Sequence, residues 1–295
     1  MKSCAPIAVF CYNRLDKLIN LLNSIKKNIE HSSSKIYFFI DFYEDNPYVT
    51  QEIIDYVNKI EGFLEKEVIV RNKSYGLKDN ILTGIDYVFE SEEMIICLED
   101  DLIVDKYLLS YMNLCLNHFK DQKNIWHING WSYPRLTFFS SKVVIGRLVN
   151  SWGWATWKDR WLLHDERENN IVSYLDNSEK RKFNFHNLTN WEQQLKDNDT
   201  NKIKTWAIFW YQTVFLKKGF SVYPSRSLIN NSGMDGSGTN SGKTKIFNTS
   251  LRHKKVYKLP KKIKENKINT LFTILFFIRV NFFKRINYWK IKYFS

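Results

Sequence analysis

Met94-Ile95-Ile96-Cys97-Leu98-Glu99-Asp100-Asp101 is an apolar run that ends in three consecutive acids. Apolar residues in succession, with no polar alternation, read as a strand buried on both faces, the kind found in parallel sheets. Working outward, the same pattern precedes this stretch three times. Ile7-Ala8-Val9-Phe10-Cys11 is followed at helical spacing by Leu15, Leu18, Ile19, Leu22, Ile25 and Ile29. Lys35 to Ile40 is followed by Ile53, Ile54, Val57 and Ile60, and Val68-Ile69-Val70 by Leu77, Ile81, Ile85 and Val88. After the acids, Leu108, Leu109, Met112, Leu116 and Phe119 mark a fourth helix. Four βα units predict an α/β fold: a doubly wound, mostly parallel sheet flanked by helices, with ligands at the carboxyl ends of the strands.

Beyond about residue 120 the alternation lapses. Ile125 to Asn129 and Val143 to Val149 read as further strands, and Ser151 to Trp161 holds Trp152, Trp154, Trp157 and Trp161 around Gly153. Residues 164–204 are polar and read as a helical insertion. Trp206 to Lys217 reads as a helix leading to the strand-like Phe220 to Pro224. Ser232 to Gly242 follows with four of the 11 glycines.

Composition bounds the rest. The 295 residues are 44% hydrophobic and 16% aromatic, enough to form a sizeable core and to exclude global disorder. With 11 Gly and 5 Pro the chain is not fibrous, and four cysteines without metal spacing point to a reducing compartment. The opening apolar run is too short for a signal-peptide core, and no stretch reaches the roughly 18–20 apolar residues of a spanning helix. Lys+Arg 44 against Asp+Glu 31 gives +13, which calls for an anionic partner. Residues 252–295 hold 13 Lys or Arg and one acid, Glu265, so +12 of that charge sits in the tail. There Ile268, Leu271, Phe272, Leu275, Phe282, Ile286, Trp289 and Tyr293 share a helical stripe interrupted by Arg279. Two readings stand: an interfacial helix on an anionic membrane, or Leu271 to Ile278 packed on the body with the lysines solvated. No nucleic-acid reading motif accompanies the charge.

Several polar groups fall at strand ends. Glu99, Asp100 and Asp101 repel one another, and a hard divalent cation with phosphate oxygens relieves that cost; the plain alternative is a solvated strand end capping the next helix. Cys11-Tyr12-Asn13-Arg14 closes the first strand before a helix, where a nucleotide binds or Asn13 simply caps. Asp41 ends the second strand, and Asn72 to Asn80, with Gly76, joins the third to its helix. All four strand ends meet at one sheet edge. The tryptophans read either as core or as indoles exposed for sugar stacking. Gly242-Lys243-Thr244 is not a phosphate-binding loop, because the spacing demands glycine where Ser237 stands.

These residues resemble the GT-A glycosyltransferases. Pro6 to Arg14 is similar to the opening strand and turn of bacterial sugar transferases related to the family-2 group, Asn72 to Asn80 to their Asn-x-Gly segment, and Glu99-Asp100-Asp101 stands where they carry a DxD motif. The Glu-Asp-Asp form, Gly153-Trp154 and the glycine-rich loop also resemble N-acetylglucosaminyltransferase I. The likeness spans roughly residues 5–245. It implies a GT-A domain over residues 1–251, with a nucleotide-binding half at 1–130 and an acceptor half at 131–251, followed by a basic, aromatic tail at 252–295.

The resemblance further implies that Tyr12, Asn13, Arg14 and Asp41 hold the base and ribose of a nucleotide-sugar, with Gly76 and Asn80 in the same pocket. Glu99 and Asp100 then contact ribose or donor sugar, and Asp101 ligates Mn²⁺ or Mg²⁺. Trp152, Gly153 and Trp154 shape the donor-sugar and acceptor pocket, and Ser232 to Asn240 closes over the donor. The implied activity is inverting transfer of a hexosyl group from a UDP-linked donor to a hydroxyl of a bacterial surface glycan or glycolipid. The expected setting is the cytoplasmic face of the membrane, with 252–295 on its anionic surface and no nucleic acid involved. One departure stands out. Related transferases carry an acidic pair before the helix that precedes Phe220, whereas this chain has Thr205-Trp206-Ala207-Ile208. Asp235 is the substitute catalytic base, with Asp159 and Asp165 as alternatives; the missing acid also admits a non-catalytic nucleotide-sugar or glycan-binding module.

Overall fold

The computed structural model describes residues 4–133, 142–164, 171–234, 244, 246–251, 253–256 and 258–294, with the backbone alone at 171, 173 and 284–294. The first half follows the apolar alternation. Strands β1 (Ile7–Cys11), β2 (Lys35–Ile40), β3 (Glu65–Val70) and β4 (Met94–Glu99) alternate with α1 (Leu15–Ile25), α2 (Pro47–Asn58) and α3 (Gly76–Ser91). Every residue of β1 is buried, as a strand covered on both faces requires. Ile7, Val9 and Cys11 pack with Leu18, Leu22, Ile53 and Val57 of α1 and α2. Ala8 and Phe10 face the opposite core, with Ile81, Ile85 and Val88 of α3. The period-2 alternation of the strand thus assigns each residue to one of two helix layers.

A short strand β5 (Leu102–Val104), absent from the sequence reading, intervenes before α4 (Leu108–Phe119). Then come β6 (Ile125–Asn129), β7 (Val143–Gly146), β8 (Trp154–Trp157), α5 (Lys158–Trp161), α6 (Asn177–Phe183), α7 (Trp191–Asp199), α8 (Ala207–Leu216), β9 (Phe220–Pro224), β10 (Ile229–Asn231) and α9 (Lys267–Phe294). The main sheet runs β3-β2-β1-β4-β8-β6-β9-β7, and β5 pairs with β10 in a separate ribbon. The pairs β2–β3, β1–β2, β1–β4 and β6–β9 are parallel, whereas β8 is antiparallel to both β4 and β6. The α/β class, the mostly parallel sheet and the C-terminal helix match the expectation. The sheet is continuous across residue 130, since β8 inserts between β4 and β6.

The tryptophan segment is a strand followed by a single helical turn. Trp154, Trp157 and Trp161 are core residues, and Trp152 is half-buried. Beneath Trp154 lies His127, stacked on it with ring centroids 5.1 Å apart. The Trp210 indole N–H donates to His127 Nδ1 at 3.0 Å, so Nε2 carries the proton and faces Asn129 Oδ1 and the Asn150 carbonyl, both at 3.1 Å. A second proton would set Nδ1–H against the indole N–H. Burial, outweighing those acceptors, pushes the His127 pKa down to about 3 from 6.5. The unfolded chain therefore takes up this proton first as pH falls. Stability from this site is complete above pH 6.5 and is lost between there and the folded value near 3, at about 1.4 kcal/mol per pH unit. Urea denaturation of wild type and His127→Gln at about pH 7 and pH 4.5 checks this: the gap between them is expected to narrow by roughly 2–3 kcal/mol on acidification, and a constant gap refutes it.

Candidate active site

The chain leaves β1 toward β2 and β3 on one side and returns to β4 on the other, so the loops after β1 and β4 part and leave a crevice at the carboxyl edge. A cleft of about 860 Å³ opens there. Its wall brings together Tyr12, Asn13 and Arg14 after β1, Asp41 after β2, Gly76 and Asn80 from α3, Glu99, Asp100 and Asp101 from the end of β4, and Trp152.

Gly153 and Trp154 stand behind that wall rather than in it. Trp154 is 1% exposed and stacks on Trp206, which lines the cleft. Gly153 has φ +59°, its carbonyl accepts from Gly130 N–H at 2.7 Å, and a Cβ there would lie 1.9 Å from Ile229 Cδ1. Both residues therefore support the cleft by packing. Asp235, Asp165 and most of the glycine-rich loop lie outside the described residues. Asp159 is committed to Lys123 at 2.5 Å and Arg160 at 2.6 Å and is not part of the cleft wall.

Arg14 is the hinge of the charge arrangement. Its guanidinium bridges Asp100 Oδ1 at 2.5 Å and Asp101 Oδ2 at 3.2 Å, while Tyr12 N–H donates to Asp100 Oδ2 at 3.3 Å. Lys17 lies close by and donates to the Ser232 carbonyl at 3.1 Å. Three carboxylates thus face two cations. Burial, reinforced by Asp101, pushes the Asp100 pKa up to about 6 despite Arg14. Burial followed by repulsion from Asp101 and Asp100 raises Glu99, and burial raises Asp101 against the pull of Arg14. The other wall is more settled. Asp41 spends both oxygens on the start of α3, accepting from Tyr75 N–H at 2.7 Å and Gly76 N–H at 2.9 Å. Asn80 accepts from Arg71 Nε and donates to the Phe39 carbonyl. Tyr12 meets Tyr43 edge-on at 5.2 Å and contributes an aromatic rim.

The β5–β10 ribbon ties the start of the glycine-rich loop to the acids. Pairing of Asn231 with Leu102 delivers Ser232, whose N–H and hydroxyl both donate to the Asp101 carbonyl at 2.8 Å. A Cβ on Gly233 would sit 2.0 Å from Asp101 Oδ2, so only glycine admits the carboxylate there. Asp101 Oδ1 is buried and has no hydrogen-bond partner among the described residues. An orphaned carboxylate oxygen beside excess negative charge fits a hard divalent cation that takes its remaining oxygens from substrate phosphates and water. No group of three or more His, Cys, Asp or Glu among the described residues forms an all-protein cage.

The far wall approaches from the helical insertion and the start of α8: Gln194 and Lys204, which the sequence reading does not single out, and Thr205, Trp206 and Ala207, the segment that the resemblance sets in place of an acidic pair. The polar-to-apolar switch at Lys204-Thr205-Trp206 marks a helix start but not the edge it faces.

No family model matches the chain, and no curated protein does. Among solved structures it is similar to S. aureus TarS 1–349, at 13% identity and a TM-score of 0.44, over 78% of this chain and 61% of that one. It is also similar to GalNAc-T7 crystallised with UDP, GalNAc and Mn²⁺, at 10% identity and 0.47, over 78% of this chain and 44% of that one. The chain spans less than two thirds of the length of either.

Arg14→Gln leaves Asp100 and Asp101 without their shared cation. Asp100 has a folded pKa of about 6 against its ordinary 3.8, so ionising it opposes folding; the opposition builds between those two values, and losing Arg14, which holds the folded value down, extends it to higher pH. Arg14→Gln is therefore expected to cost about 3 kcal/mol at pH 8 and much less at pH 5, with Arg14→Gln/Asp100→Asn recovering at least half of the loss. Denaturation at the two pH values decides it, and a pH-independent loss rejects this account of the pair.

Proposed function

We propose that the protein is a GT-A-type glycosyltransferase that moves a hexosyl group, with inversion, from a UDP-linked donor to a hydroxyl of a bacterial surface glycan or glycolipid at the cytoplasmic face of the membrane. The observation that carries this reading is Asp101 Oδ1, buried without a partner among the described residues in the wall of a cleft at the carboxyl edge of a parallel sheet. Asp101 would hold Mn²⁺ or Mg²⁺. When bound, that ion supplies Lewis-acid neutralisation of the departing diphosphate.

The chain's own residues do the rest. Tyr12, Asn13, Arg14 and Asp41 line the nucleotide side, with Gly76 and Asn80 behind them. Glu99 and Asp100 contact ribose or donor sugar, and Trp152, packed edge-on against Trp131 and Phe247, bounds the sugar side, while Gly153 and Trp154 shape the pocket from behind, Trp154 against Trp206. The acceptor oxygen forms a bond to the anomeric carbon as the bond to the diphosphate oxygen breaks, its electron pair leaving with UDP. The acceptor proton passes to a carboxylate, for which Asp235 is the candidate.

A second reading, a non-catalytic nucleotide-sugar or glycan-binding module, draws on one observation: the far wall offers Thr205, Trp206 and Ala207 at the start of α8, where no acid stands. Calorimetry with UDP, with and without Mn²⁺, is expected to show metal-dependent binding that weakens at least about tenfold in Asp101→Asn. Metal-dependent UDP release from a UDP-sugar separates the readings, because a binding module binds yet releases none. Absence of UDP binding in the wild type rejects the transferase and the nucleotide-sugar form of the second reading.

A further inference from the structure

The basic tail is bound to the body. Val143 N–H donates to the Lys258 carbonyl at 2.8 Å, Asn266 N–H to the Ile145 carbonyl at 2.9 Å, and Arg147 meets Glu265 at 3.6 Å, so the segment before α9 runs along β7. One face of α9 then packs inward. Asn269, Thr273, Phe276 and Val280 are buried, and the Asn281 side chain donates to the Leu188 carbonyl at 2.9 Å.

The opposite face is apolar as well. Ile268, Leu271, Leu275, Ile278 and Phe282 are each at least half exposed. Steps of three, four, three and four residues hold them in a stripe about 80° wide and about 21 Å long, on the side of the helix away from the body. A surface helix of a globular protein has one apolar face; this one has two, and only one is used by the fold. Among the described residues of the tail the exposed charge has one sign. Lys261, Lys262, Lys264, Lys267 and Arg279 are exposed, and the only acid of the tail, Glu265, is taken by Arg147. No helix among the described residues is long and apolar enough to cross a membrane.

We infer that the outward stripe of α9, from Ile268 to Phe282, is the surface on which the protein lies on an anionic bilayer. The apolar side chains enter the acyl boundary and the surrounding lysines and Arg279 meet lipid phosphates. The one-signed charge selects this occupant over a second copy of the chain, in which two such helices would bring their cations together. The inference rests on the membrane setting of the proposed function and is independent of its chemistry. The inner face also leads toward the cleft: Phe276 contacts Phe247 at 5.7 Å, and Phe247 contacts Trp152 of the cleft wall at 5.6 Å.

The test is flotation of the full chain with vesicles of phosphatidylcholine alone or with about one third phosphatidylglycerol, together with its oligomeric state by light scattering. Wild type is expected to float with the anionic vesicles only, and to lose most binding in about 0.5 M salt. Leu271→Ser/Leu275→Ser/Phe282→Ser is expected to reduce binding at least about tenfold while keeping Tm close to wild type, because these side chains lie outside the buried core. Equal flotation of the triple variant overturns the inference, as does equal binding to neutral vesicles. So does a lipid-free dimer that the triple variant dissociates, which would assign the stripe to a second copy. Calorimetry with UDP on wild type and triple variant keeps the two questions apart: unchanged nucleotide binding with lost flotation in the triple variant supports the surface whatever the chemistry, and a wild type that floats with anionic vesicles yet binds no UDP defeats the chemistry alone.

Discussion

Carboxylates at the end of a buried strand are costly unless a cation reaches them, and in this fold the cation comes from the neighbouring strand. Arg14 follows β1 and Asp100 and Asp101 follow β4, so the bridge forms only when the two strands are paired in parallel with their carboxyl ends level. Sheet register and site charge are thus one constraint. A one-residue slip of β4 would send the side chains of Ile96 and Leu98 to the opposite helix layer and move both acids off the guanidinium. Removing Arg14 would in turn leave buried negative charge at the centre of the sheet edge.

The loop after β10 depends on the same point. The ribbon of β5 and β10 brings Ser232 to the Asp101 carbonyl, and Gly233 fits there only because it has no Cβ to strike the carboxylate. The acid that the metal reading singles out is therefore held from three directions: β4 below, Arg14 beside it and the loop above. Its Oδ1 nevertheless remains unpartnered among the described residues. A structure that fixes a carboxylate so closely and still leaves one oxygen unsatisfied has the electrostatic form of a binding site, because the same surroundings could have supplied one more N–H.

The half of this arrangement built from β1 to β4 was legible in the chain because it is local. Continuous apolar strands, helical spacing and polar strand ends repeat within each βα unit, and a parallel sheet brings those ends to one edge. The other half is long-range. Trp154 to Trp157 is too short to separate strand from helix by periodicity, and its antiparallel place between β4 and β6 is fixed by neighbours on both sides. Hence the sequence leaves Trp154 open between core and pocket, and the structure places it in the core, with Gly153 in a close-packed turn beside it. The far wall, from Gln194 to Ala207, could not be placed without knowing that β9 lies beside β6. Leu102 to Val104 was invisible for the same reason: three residues make a strand only when Ile229 to Asn231 lie opposite.

The tail shows the same limit in another form. Helical periodicity finds an apolar stripe, but it cannot tell a stripe that packs from one that stays outside, and α9 has both. Leu271, Leu275 and Phe282, which the spacing groups together, do lie on one exposed face; Phe276 and Val280, outside that grouping, are the residues that hold the helix down. Membrane attachment and packing on the body, which the sequence presents as rivals, are therefore compatible in one helix. Packing of the inner face fixes the helix against β7 and so determines the direction in which the outer face points. A tail tethered only by its charge would leave the cleft free to turn relative to a bilayer. A helix clamped along the sheet edge gives the cleft a defined orientation to any surface the outer stripe meets, and the path from Phe276 through Phe247 to Trp152 makes that surface and the cleft wall parts of one packed body.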